Sequence, residues 1–312
     1  MGARPAVAAT CAAFSLFLAG CLGDSGRLEG PGAPRFEKPA HPPRVALVLG
    51  SGGPRGFAHI GALLALEEAG IRPDLVVGTS AGALVGALYA SGKTPGELES
   101  MAREVNVLDF FEVRMVTGGL ATGLAVQDYV NRHVGDRRIE SFPMAFAAVA
   151  AREGTSQAVV LNAGDAGGAV RASSASPGQF APVGIGGERL VDGDEASPVP
   201  IRAARQLGAK VVIAIDVSAH LATTPPGMPA EWMRKDERRA AQVRAEAADA
   251  DVLVHPDNGY YAGHTAEYRQ RVIAMAARET RARMPEIRAA IARAGAAQPS
   301  RAASMPSADT AR

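Results

Sequence analysis

Ser80 stands between two glycines in Gly78-Thr79-Ser80-Ala81-Gly82, after the apolar run Leu75-Val76-Val77 and before an Ala/Leu/Val-rich stretch. That order reads as strand, sharp turn and helix with a serine at the apex. Small neighbours allow a tight turn that exposes the hydroxyl, where bulkier residues would clash. The helix that follows aims its N-terminal dipole and free N–H groups at the same hydroxyl, favouring negative charge there. A pattern this short also arises by chance in a chain with 35 glycines, so its strand–turn–helix context is what gives it chemical meaning.

One βα unit upstream, Val45-Ala46-Leu47-Val48-Leu49 reads as a fully buried strand. It runs into Gly50-Ser51-Gly52-Gly53-Pro54-Arg55-Gly56 and a helical pattern from Phe57 to Ala69. Such a loop presents bare backbone N–H groups to an anion. A dinucleotide site would need an acidic residue at the end of the second strand, where this chain has Gly78-Thr79-Ser80. No Gly-Lys-Ser/Thr follows to make a P-loop. An oxyanion hole, stabilising a tetrahedral intermediate, fits a glycine loop beside an exposed serine better. Arg55 either orders that loop, attracts an anionic head group, or is an ordinary solvated arginine.

The third feature is Leu190-Val191-Asp192-Gly193-Asp194, followed by a helical stretch from Val199 to Leu207 and the strand Val211–Ile215. An Asp-Gly pair alone is a common turn. Together with the other two features it makes the chain resemble the patatin-like phospholipase family, from about Arg44 to Ser218. The resemblance is carried by the glycine loop, His59-Ile60-Gly61, Gly78-Thr79-Ser80-Ala81-Gly82, Arg171-Ala172-Ser173, Pro177-Gly178, Phe180-Ala181-Pro182 and Asp192-Gly193. Within the family it looks most like the bacterial branch whose loop begins Gly-Ser-Gly.

The resemblance implies a three-layer α/β/α patatin-like fold with a mainly parallel central sheet. It also implies a catalytic dyad, with Ser80 as nucleophile and Asp192 as base, and an oxyanion hole from the N–H groups of Gly52, Gly53 and Arg55. Pro54 has no N–H to give. The implied activity is hydrolysis of lipid carboxylic esters of the phospholipase A, lysophospholipase or esterase type, without a cofactor. The chemistry is coherent: a serine needs an adjoining base, and an acyl-enzyme divides one hard step into two. An aspartate at its reference pKa of about 3.9 is a weak base, so burial must raise it. The family usually has Gly or Ala after Asp-Gly, whereas this chain has Asp194, a second carboxylate expected to raise Asp192 by repulsion or to crowd the turn.

Two competing readings are defined by the same residues. The order Ser80, then Asp192 or Asp216, then His255 or His264 is that of an α/β-hydrolase triad, but those enzymes place the two turns on strands deeper in the sheet. His59 falls on the first helix and reads as a packing residue. A catalytically weak patatin-like domain that binds lipid or an envelope partner has Asp194 as its one sequence support.

The flanking elements set the compartment and the domain. Arg4, an apolar stretch from Ala6 to Ala19 and small residues near Gly20 read as a secretory signal over residues 1–20, too short to span a bilayer comfortably. Leu18-Ala19-Gly20-Cys21 resembles a bacterial lipobox, making Cys21 a lipid anchor. With Leu22 next, the expected place is the outer membrane, facing the periplasm. Residues 22–43, rich in Gly, Pro and charge, read as a flexible tether a few nanometres long, on the order of random-coil dimensions. The chain's two cysteines are Cys11 and Cys21, so the mature domain would carry neither thiol nor disulfide, which excludes cysteine catalysis and Cys-ligated zinc. Its six histidines show no close metal-ligand spacing.

Without Arg4 the mature chain would hold 32 basic and 32 acidic side chains, a balance that gives no support for nucleic-acid binding. Arginines crowd 234–244 and 269–293 with acids interleaved, which reads as solvated helix face. Strand-like runs at 45–49, 75–77, 145–150, 158–161, 211–217 and 251–255 alternate with helical segments, so one α/β domain is expected over 44–294. Asn106–Gly123, with Phe110, Phe111 and Met115, reads either as an apolar lip that admits an acyl chain or as a short helix and loop over the core. Gly295–Arg312 reads as a disordered tail.

Overall fold

The computed structural model describes residues 27–111 and 121–296. The signal, Cys21, the Met115 part of the lip and residues 297–312 lie outside the described residues.

Among the described residues nine strands form one sheet: β1 (Arg27–Leu28), β2 (Val45–Leu49), β3 (Leu75–Thr79), β4 (Ala145–Arg152), β5 (Gln157–Leu161), β6 (Val183–Ile185), β7 (Glu188–Asp192), β8 (Val211–Ile215) and β9 (Val252–Val254). The order is β1-β6-β7-β4-β3-β2-β8-β9, with β5 added to β4. The central run β4-β3-β2-β8-β9 is parallel, and β7 and β5 meet β4 antiparallel. Every residue of β2, β3 and β8 is buried, as expected where helices cover both faces of a sheet.

The helices are α1 (Ala58–Glu68), α2 (Ala81–Ala90), α3 (Pro95–Glu104), α4 (Leu124–Val134), α5 (Ala166–Ser173), α6 (Ile201–Gln206), α7 (Ala230–Ala247), α8 (Ala266–Ala282) and α9 (Met284–Ala296). Strand alternation divides the core in two. Val45, Leu47 and Leu49 point into a cluster with Leu63, Leu88, Val130 and Val272, whereas Ala46 and Val48 face Ile201, Ala204 and Val243. The result is the expected three-layer α/β/α architecture.

Two boundaries differ from the sequence expectation. Residues 27–43 do not hang free. Arg27 and Leu28 pair in parallel with Gly184 and Ile185, Arg35 N–H donates to Ala163 O at 3.0 Å, and Lys210 N–H donates to Pro43 O at 3.3 Å. Glycines and prolines gave this stretch no periodicity, yet its backbone bonds to the sheet edge hold it. At the other end α9 continues to Ala296, past Gly295 where the tail was expected to begin. The strands β1, β6 and β7 carry no strong apolar run and were not legible as strands.

Candidate active site

The serine turn is built by close packing. β3 ends at Thr79 and α2 starts at Ala81, leaving Ser80 at φ 54° and ψ −119°, a conformation side chains seldom adopt. The turn closes only because a Cβ is missing on both sides. At Gly78 it would lie 2.4 Å from the Gly82 carbonyl oxygen, and at Gly82 it would lie 2.1 Å from the Leu49 carbonyl oxygen. Ser173 locks the strained residue: it accepts from Ser80 N–H at 2.9 Å while its own hydroxyl donates to Val149 O at 2.6 Å.

Asp192 closes β7, and its carboxylate meets the serine. Ser80 Oγ donates to Asp192 Oδ2 at 2.9 Å, and Asp194 N–H donates to Asp192 Oδ1 at 2.9 Å. Asp192 is 5% exposed, and burial, reinforced by the negative charge of Asp194, pushes its carboxyl up to about 7. The Asp194 N–H, the Ser80 hydroxyl and the Arg239 charge pull the other way. A carboxylate so raised is a competent proton acceptor near neutrality.

The glycine loop faces the same point. Among the described residues, the N–H groups of Gly52 and Gly53 have no acceptor, and Gly53 takes φ +54°. The Arg55 amide departs from expectation: it donates to Gly52 O at 3.1 Å, closing the 3-10 turn Gly53–Phe57, and so is spent. The loop itself is anchored. Gly50 N–H donates to Ile215 O at 3.0 Å and Ser51 N–H to Pro198 O at 2.8 Å. His59 donates from Nε2 to Gly50 O at 2.7 Å, and burial lowers its pKa to about 4, so it is a neutral brace for the loop. Its role goes beyond packing. The Arg55 guanidinium is half-buried, donates to the Tyr260 carbonyl, and burial lowers its pKa.

The remaining histidines stay off the serine. His255 lies 3.6 Å from Asp216 and stacks on His220 at 3.8 Å between centroids. Neither it nor His264 bonds Ser80. No group of three or more His, Cys, Asp or Glu among the described residues could hold a metal ion.

Asp194 does not crowd the turn. It accepts from Ser51 Oγ, and from Arg239 Nε at 2.8 Å and Nη2 at 2.5 Å. Burial acts against its charge, but Arg239 and Ser51 outweigh it and hold the Asp194 pKa low. Arg239 and Ser51 were not singled out from the sequence. Arg239 sits in the interleaved charges of α7, where nothing marks one arginine as buried.

A cleft of about 1500 Å³ opens above the serine and aspartate. One wall is apolar, with Leu84, Leu88, Met101, Phe110, Val126 and Phe180. Phe110 sits edge-on to Tyr129 at 5.2 Å and Phe111 against Phe180 at 5.0 Å, so the described end of the lip lines this wall. The cleft is also lined, from α7 and residues 260–264, by Trp232, Arg234, Lys235, Arg239, Tyr260 and His264.

A three-layer α/β fold with a serine at a strained strand-to-helix turn, a buried aspartate and an open glycine loop defines a patatin-type domain. The family model described as patatin-like phospholipase matches residues 47–205, and the chain belongs to that family. An uncharacterised NTE family protein of Mycobacterium tuberculosis is 33% identical over 217 residues, covering 67% of this chain and 58% of the relative. Patatin-like phospholipase domain-containing protein 6 of Homo sapiens is 38% identical over 183 residues, which cover 56% of this chain and 13% of that protein. The chain thus spans less than two-thirds of the length of either relative. The crystal structure of VipD from Legionella pneumophila shares the fold, with a TM-score of 0.54 at 12% identity over 88% of this chain and 73% of that one.

Proposed function

We propose that the protein is a serine acyl hydrolase that cleaves lipid carboxylic esters through a Ser80–Asp192 dyad. The observation that carries the proposal is the 2.9 Å hydrogen bond from Ser80 to a buried, raised-pKa Asp192, at the floor of an apolar-walled cleft. Ser80 Oγ attacks the ester carbonyl carbon as its proton passes to Asp192 Oδ2. The carbonyl oxygen becomes an oxyanion, received by the Gly52 and Gly53 N–H groups. Collapse breaks the C–O bond to the alcohol, which takes the proton from Asp192 and leaves an acyl-Ser80 ester. Water then gives a proton to Asp192 and attacks the acyl carbon, and Ser80 recovers the proton as the free acid departs.

The family name and the apolar wall support a lipid acyl chain, and phospholipid or lysophospholipid esters are the substrate class proposed. Against the competing reading, a weakly catalytic lipid-binding domain, stands the ion pair with Arg239, which offsets part of the Asp194 charge on which that reading rested. A fluorophosphonate probe tests the choice. Labelling that disappears in Ser80→Ala establishes an activated serine, and a folded wild type that takes no label overturns the proposal.

The location proposed is the bacterial envelope, with lipidation at Cys21, and it rests on residues 1–21 of the sequence alone. Membrane fractionation tests it: Cys21→Ser should release the protein, and retention of the variant would refute the anchor.

A further inference from the structure

Ser51, Asp194 and Arg239 belong to three separate segments: the glycine loop, the turn after the base, and the helix forming one cleft wall. Their side chains form a closed triangle. Ser51 Oγ donates to Asp194 Oδ1 and accepts from Arg239 Nη2 at 2.9 Å, while Arg239 chelates the same carboxylate oxygen through Nε and Nη2. The triangle is largely shielded, with 13% of the Asp194 side chain and 17% of the Arg239 side chain exposed. Most surface ion pairs contribute little, but a shielded one leaves an uncompensated charge when a partner is removed.

We propose that Arg239 is a positioning residue for the reaction: by gripping Asp194 and Ser51 together it fixes the turn whose amide holds Asp192 and shields the base from the Asp194 charge. The inference rests on the reading of Ser80 and Asp192 as nucleophile and base. Two consequences follow from the bonding. Asp194 binds Asp192 through its backbone N–H and Arg239 through its side chain, so loss of Arg239 loosens the amide that orients the base. It also leaves the Asp194 carboxylate unneutralised two residues from Asp192, and an uncompensated like charge at that distance raises a carboxyl pKa by about one unit or more.

The other charged groups around this point do not substitute for Arg239. Lys235, also on α7, acts on Asp194 through space without an ion pair. Arg238 turns to Glu195 at 3.5 Å. Asp216, at the end of β8, adds negative charge facing Arg239, and Arg55, bonded to the Tyr260 carbonyl, feels the charges of both Asp236 and Arg239. His59 is neutral beneath the glycine loop.

The test is NMR titration of isotope-labelled aspartate carboxyl carbons in the full chain, with the Asp192 resonance assigned by its loss in Asp192→Asn. Arg239→Gln is expected to move the Asp192 midpoint up by about one pH unit or more, and Asp194→Asn to move it down. The double variant should fall between them, and Arg239→Lys, which keeps the charge but not the two-nitrogen grip, should fall between wild type and Arg239→Gln. The acid limb of kcat/KM on a short soluble ester should follow each shift, with KM little changed. A folded Arg239→Gln whose midpoint and acid limb coincide with wild type overturns the proposal. So does an Asp194→Asn shift in the same direction as that of Arg239→Gln. Should Arg239→Gln fail to fold, Arg239→Lys decides the matter: a folded Arg239→Lys whose midpoint and acid limb coincide with wild type overturns the proposal, because the lysine cannot hold Asp194 through two nitrogens. Failure of the hydrolase reading looks different: wild type would then show no Ser80-dependent turnover, while the carboxyl titration could still be read.

Discussion

Ser80 and Asp192, separated by 112 positions, meet because β3 and β7 abut end to end along one edge of β4. Thr79 pairs in parallel with Val149, and on the same edge the next residue, Ala150, pairs antiparallel with Asp192. β5 occupies the opposite edge at the same level, pairing Val159 with Ala150. Two strands arriving from opposite directions thus deliver their last residues to one point. Gly193 lets the second strand turn away, since a Cβ there would sit 2.1 Å from Val149 O.

Removing either member of the proposed dyad should abolish turnover without unfolding the domain. Ser80→Ala and Asp192→Asn are each expected to lower kcat by at least about 10³-fold on a soluble ester. Circular dichroism melts no lower than those of wild type would show that the loss is chemical, and substantial residual turnover in either variant would contradict its role.

The pH dependence follows from the raised Asp192 pKa. The proposed base works only without its proton, so kcat/KM should rise with pH through about 7 and then level off. A titrating histidine is not the source of that limb at His59, whose pKa is lowered to about 4. A pH–rate profile already flat at pH values far below neutrality would contradict this assignment.

The same shift makes a stability prediction of defined sign. The folded state holds the Asp192 proton more tightly than the unfolded chain, so this group favours folding in acid. That contribution is lost as pH rises through about 7. Asp192→Asn, which carries no charge, should therefore be more stable than wild type at alkaline pH by an amount on the order of a few kcal/mol, with the gap closing in acid. Thermal melts across the pH range would measure it.

Gly82→Ala should destabilise the whole domain rather than merely slow the reaction. The new Cβ would meet Leu49 O at 2.1 Å, a backbone atom in a central strand that has no room to move. A loss of about 3 kcal/mol or more is expected, seen in denaturant midpoints or as insoluble protein.

His264 lines the cleft but makes no bond to the serine. His264→Ala should retain activity within about tenfold, whereas removal of a general base costs about 10²- to 10⁴-fold. Inactivity of a folded His264→Ala would bring back the histidine triad.

Much of the site was legible in the chain because its devices are local. Gly78, Ser80 and Gly82 mark a turn whose sterics involve near neighbours, and Val45–Leu49 followed by Gly52 and Gly53 mark a strand feeding an open loop. Asp192 was legible by resemblance, since an Asp-Gly pair alone says only that the chain turns.

What the local pattern could not contain were the contacts between distant segments. The Arg55 amide looked available until its 3-10 bond to Gly52 was seen, and residues 27–43 looked unattached until β6 offered them an edge. Asp194 read as a repulsive intruder because its counter-charge, Arg239, lies 45 positions away in a helix whose other arginines face solvent. Sequence determined the central strands, the serine turn, the glycine loop and the kind of chemistry they suit, through spacing and sterics. Only the tertiary structure decided which charges are buried together, because desolvation and ion pairing depend on distances that chain order does not fix.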